Sequence, residues 1–133
     1  MWGAAGARTL PAMFFRGSED RLNPVAPEGV DDTTLGGYRA VHGRSPAFEG
    51  ADGEPYTVAV ETDATDDAAE PGAAYLVFVR WSRNGTAVMG HLETGDLATG
   101  RTEDEARAAL EAWPLPRVKL ALDEAIRARA GNG

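Results

Sequence analysis

Cysteine is absent from the 133 residues, and lysine occurs once against twelve arginines. The first absence removes disulfide frameworks, thiol nucleophiles and cysteine-based zinc sites together. The second, with abundant alanine, points to a GC-rich bacterial genome and carries no function. No apolar run approaches the roughly 18 residues that a membrane-spanning helix requires. Residues 1–15, MWGAAGARTLPAMFF, lack the basic start, continuous apolar stretch and small-residue cleavage site of a secretory signal. The expected location is therefore cytoplasmic, with this stretch a frayed tail or Met13 the true first residue. The glycine clusters match neither a phosphate-binding loop nor a dinucleotide fingerprint, and Ser18, Ser45 and Ser82 lie in no nucleophile-elbow context.

Basic charge is missing from one region in particular. Residues 1–48 hold five basic and five acidic side chains, and residues 71–133 hold eight of each. The whole net charge of −8 therefore falls in residues 49–70, EGADGEPYTVAVETDATDDAAE, which contain neither Lys nor Arg. With the remainder balanced, no basic patch exists to drive binding to nucleic acid or anionic membrane, and neither partner is expected. The acidic run reads first as a solvated loop flanking a strand, and second as an attraction for a basic partner. Its spacing does not match a calcium loop.

What is present reads as a small α+β domain. At this length one domain buries a core without disulfides or metal. Residues 1–35, rich in Pro, Gly and acids from 17 onward, are expected to be irregular or partly disordered, leaving 36–133 as a single folded unit. Residues 36–43 are expected to form a short strand, residues 44–55 a loop, and residues 56–63 a strand that alternates Tyr56, Val58 and Val60 against Thr57, Ala59 and Glu61. Residues 74–82, AYLVFVRWS, are apolar on both faces and suit a central strand. Asn84-Gly85 then predicts a two-residue type I′ hairpin turn. Counting outward from that turn sets Arg83 opposite Thr86 and Phe78 opposite His91. One face of the hairpin then carries Tyr75, Val77, Val79, Trp81 and Leu92, nearly all apolar, and is expected to face the core. The other carries Phe78, Arg80, Met89, His91 and Glu93.

The C-terminal third is helical. Thr102-Glu103-Asp104-Glu105 has the form of a capping box, and Ala106, Ala109, Leu110 and Trp113 follow as an apolar stripe, with Glu103 and Arg107 spaced for an ion pair. Pro116 suits the first turn of a second helix, whose buried stripe is Leu115, Val118, Leu122, Ala125 and Ile126, ending at Gly131. The expected architecture is an antiparallel sheet of three to four strands, including the 74–94 hairpin, with both helices on one face.

Function is expected on the other face. Phe78, Arg80, Met89, His91 and Glu93, with Leu76 beside them, would form a mixed polar and apolar surface suited to a protein partner or to self-association. Met13-Phe14-Phe15 is an equal candidate for covering it. This favours a non-enzymatic binding or accessory protein, aided by the acidic segment, with no cofactor. The alternative is a small metal-binding protein or enzyme using His91 and Glu93, with His42 or Asp96 as a further donor, since a metal site needs at least a third protein ligand. His42 by itself reads as a loop residue near Arg44.

Overall fold

The computed structural model describes residues 31–131. The irregular segment expected over residues 1–35 and the covering role of Met13-Phe14-Phe15 therefore lie almost wholly outside the described residues. In chain order the elements are α1 (Leu35–His42), β1 (Ala47–Glu49), β2 (Pro55–Ala64), β3 (Gly72–Trp81), β4 (Val88–Glu93), β5 (Ala98–Gly100), α2 (Glu103–Glu111) and α3 (Leu115–Gly131). The five strands form one antiparallel sheet in the order β1-β2-β3-β4, with β5 pairing the start of β3. The α+β class and the two C-terminal helices on one face follow the sequence expectation. No helix among the described residues is long and apolar enough to cross a membrane.

Residues 36–43 are not a strand. They belong to α1, opened by the Thr34 hydroxyl accepting from the Gly37 amide at 3.1 Å and closed by Gly43 in the left-handed region at φ 68°. The two caps satisfy backbone groups that a helix leaves unpaired at its ends. Leu35 and Val41, both buried, lie on one helical face with half-buried Tyr38 between them. The segment that enters α1 is tied to the α2–α3 junction, where Leu35 N donates to Trp113 O at 3.0 Å and Leu115 N to Thr33 O at 2.9 Å. Within the expected loop over residues 44–55, Ala47–Glu49 forms a short edge strand that sets Phe48 opposite Tyr56.

The core lies between the sheet and the helices. Tyr56, Val58 and Val60 of β2, Leu76 and Phe78 of β3 and Leu92 of β4 meet Leu35, Ala106, Leu110, Val118, Ala121 and Leu122. Burying each of the larger side chains contributes about 1.5–3 kcal/mol. Ala109, expected in the α2 stripe, is exposed. Thr102 caps α2 as its spacing predicts, accepting from Glu105 N at 3.0 Å, but the Glu105 carboxylate reaches the Arg101 amide at 3.1 Å and not that of Thr102. Glu103 and Arg107 do not pair with each other. Each turns to β2, Glu103 to the Thr62 hydroxyl at 2.9 Å and Arg107 to the Val60 carbonyl at 3.0 Å.

The hairpin inverts the expected faces of β3. Its turn is centred on Arg83-Asn84, with Gly85 N donating to Ser82 O at 2.8 Å and Gly85 at φ 76°. The Asn84 side chain accepts from the Thr86 amide and hydroxyl, which holds the loop without a type I′ turn. Trp81 still pairs Val88, as counting from the turn requires. Beyond it the register shifts, so that Arg80 pairs Gly90, Val79 pairs His91 and Phe78 pairs Leu92. Met89 is the extra residue, a β-bulge, and one extra residue exchanges the faces of everything after it. Leu92 reaches the core as expected, but it shares that side with Phe78 and Leu76. Tyr75, Val77, Val79 and Trp81 point the other way.

Candidate functional site

All three helices contribute to the core on one side of the sheet, and no described element packs on the other. The uncovered face is built in rows across β2, β3 and β4. Thr57, Val79 and His91 form one row, Ala59, Val77 and Glu93 the next, and Glu61 with Tyr75 a third. Trp81 lies beyond the first row, its indole N–H donating to the Thr57 hydroxyl at 2.8 Å. That bond fixes a large flat ring across two strands, so the aromatic surface is rigid before anything meets it. The four β3 side chains are half-buried by their neighbours and retain an outward apolar stripe.

The rim of this face is polar. His91 Nε2 lies 3.7 Å from Glu93 Oε2, with side chains 65% and 54% exposed. The Tyr75 hydroxyl is pushed above its usual range, first by desolvation and then by the charges of Glu93 and Glu61. It therefore stays protonated and offers a donor near two carboxylates.

The five residues expected to share a surface are divided by the sheet. Phe78 is fully buried in the core and unavailable to a partner, as is Leu76. Arg80 lies on the helix side, opposite Tyr56, its Nη2 donating to the Met89 carbonyl at 3.2 Å. Met89 is exposed at the bulge. Only His91 and Glu93 lie on the uncovered face. The residues that dominate it, Tyr75, Val77, Val79 and Trp81, were read from sequence as core, because the bulge that exchanges the two faces leaves no mark in the hydrophobic pattern.

The second histidine forms a separate pair. His42 ends α1, stacked on Tyr38 at 4.2 Å between ring centroids and 3.7 Å from Asp32 Oδ2. Among the described residues no group of three or more potential ligands gathers for a metal ion. His91 and Glu93 are thus two donors without a third.

Half of the eight carboxylates in the acidic run accept hydrogen bonds from amides or hydroxyls, and Glu54 pairs with Arg83 at 3.3 Å. Asp52 accepts from the Glu54 amide and the Tyr56 hydroxyl, Asp63 from Ala64 N, Asp67 from Ala69 N, and Glu70 from the Thr99 hydroxyl. These contacts shape turns and strand ends, which is what Asp does in loops. No protein-family model matches the chain, and neither curated proteins nor solved structures yield a match.

Proposed function

We propose that this chain is a non-enzymatic binding domain acting through the uncovered sheet face, and that the occupant is a second copy of the chain. The single observation carrying the reading is the Tyr75-Val77-Val79-Trp81 stripe, apolar, rigid and faced by no described element. A contiguous apolar patch with a polar rim is the mark of an interaction surface.

The rim chooses the occupant. Sheets packed face to face keep their strands within about 30° of alignment. A two-fold axis running across the strands, midway between the rows of Val77 and Val79, lays each row on the other. Val77 then meets the partner's Val79, Tyr75 lies towards the partner's Trp81, and Glu93 lies over the partner's His91. An isologous interface has to be self-complementary in this way.

Sedimentation velocity over a range of concentrations tests the reading. The expected result is a dimer that Val79→Lys converts to a monomer with unchanged circular dichroism and a melting temperature that no longer depends on protein concentration. A monomer at all concentrations overturns the second copy as occupant. If, in addition, Val79→Lys changes no interaction of the protein with any defined partner, the face itself is not the working surface.

A further inference from the structure

On the helix side, where β4 runs out past α3, Asp52, Tyr56, Arg80, His91, Leu92, Ile126 and Arg129 enclose a cleft of about 220 Å³. It draws on the β1–β2 loop, three strands and the last helix, and it shares only His91, whose carbonyl accepts from Arg129, with the uncovered face. Leu92, Ile126 and the Tyr56 ring supply apolar walls, while two guanidinium groups supply charge.

Those guanidinium groups have no carboxylate partner among the described residues, as is also true of Arg44, Arg107, Arg117 and Arg127, but they alone of this group line the cleft. Arg39, Arg83, Arg101 and Lys119 each have a carboxylate within ion-pair distance. Among the described residues neither Arg80 nor Arg129 has one. Each is instead tethered through one N–H to an edge carbonyl of β4, Arg80 to Met89 at 3.2 Å and Arg129 to His91 at 3.1 Å. The two tethers lie two residues apart on β4, and both guanidinium groups line the one cleft. An arginine has five N–H donors, which leaves several on each for another acceptor.

Asp52 does not occupy them. Its Oδ1 accepts from Glu54 N at 3.0 Å and its Oδ2 from the Tyr56 hydroxyl at 2.8 Å. Burial, and then this bond, push the Tyr56 pKa up to about 12, so no phenolate forms to compete. The carboxylate serves to orient the tyrosine.

We infer that the cleft binds a small oxyanion, a phosphate or carboxylate group on a compact ligand, held between Arg80 and Arg129. Arginine pairs suit this chemistry because the planar fork offers parallel donors to two oxygens. The volume lies below the roughly 300 Å³ at which pockets for drug-sized ligands begin, so the ligand is little larger than its anionic group and a short apolar body.

The test titrates the full chain with inorganic phosphate and, separately, with propionate, at ionic strength matched by chloride. The readouts are the amide and arginine side-chain resonances. The expected result is saturable binding in the millimolar range, with shifts centred on Leu92, Arg80 and Arg129. Arg129→Gln, an exposed substitution that leaves the core intact, weakens it about tenfold, and Arg129→Lys restores only part. Saturation by phosphate alone or propionate alone identifies which oxyanion the cleft takes. Equal, unsaturable shifts with phosphate, propionate and chloride overturn the inference and leave the arginines as caps on the β4 edge. An affinity untouched by Arg129→Gln overturns it as well.

Discussion

Phe78 and Val79 are chain neighbours on the central strand, and they meet opposite surroundings. Phe78 belongs to the buried cluster that includes Leu35, Leu110 and Leu122, while Val79 looks outward between Thr57 and His91. Both sides of β3 are apolar, so hydrophobicity does not decide which one the helices cover. Geometry decides it, and the two sides then serve different ends. One supplies stability. The other retains apolar surface that no described element covers.

The largest way to break this contrast is to truncate both neighbours. Phe78→Ala should cost about 3–5 kcal/mol, as expected for a fully buried aromatic whose cavity cannot collapse. That is a large share of a small domain's total stability. Val79→Ala should cost about 1 kcal/mol or less, because half of the valine's environment is already open. Urea denaturation of the two variants measures the difference. Equal costs would mean that the outward face is covered after all.

The same contrast on β4 is smaller. Leu92→Ala removes a buried side chain opposite Phe78 and should cost about 2–4 kcal/mol. His91→Ala should lie within about 0.5 kcal/mol of the parent, since the imidazole is largely exposed. Reversal of that order in thermal unfolding would place His91, and not Leu92, on the helix side of β4.

These pairs also show what could be read in the sequence. Leu92 was legible as core and His91 as outward, because alternation within β4 is strict. The partners of each on β3 were not. Their assignment passed through the turn, and one extra residue at Met89 changed the answer for every pair beyond it. A bulge changes no hydrophobic count, so periodicity cannot see it. α1 was missed for a different reason. Its helical stripe, Leu35, Tyr38 and Val41, is short and begins with two glycines, which weaken a helix by about 1 kcal/mol each relative to alanine. The true signals were Thr34 before it and Gly43 after it, a cap at each end. By contrast α2 and α3 were legible as elements, because long amphipathic stripes with a Thr cap and a Pro in the first turn leave little choice, while Ala109 proved exposed and Glu103 and Arg107 turned to β2. The five candidate residues therefore fall on β3 and β4 and on a mixture of their two sides.

Charge sharpens the comparison once more, at the smallest scale. Each side of the sheet has an ion pair two or four residues apart in sequence. On the uncovered face it is His91–Glu93, at 3.7 Å between mostly exposed groups, where solvent screening leaves almost nothing. On the helix side it is Lys119–Asp123, at 2.6 Å, with Asp123 only 16% exposed and its Oδ1 also accepting from Ala51 N at 2.9 Å. Asp123 thereby ties α3 to the turn between β1 and β2. Partial burial pushes its carboxyl up, but the bonds from Lys119 and Ala51 and the charges of Lys119 and Arg127 outweigh this and hold it below the ordinary 3.8. A carboxyl with a lowered folded-state pKa stabilises fully above its unfolded value, and that contribution is lost as pH falls through the folded one. Asp123→Asn should therefore cost about 1 kcal/mol at neutral pH, the scale of a charge-assisted hydrogen bond net of solvation. The cost should shrink once pH drops below 3.8 and vanish in stronger acid, where the parent carboxyl is protonated too. Denaturant midpoints of the two proteins across the acid range should converge. A difference for Asp123→Asn that stays constant into strong acid would show that the side chain acts by shape and not by charge.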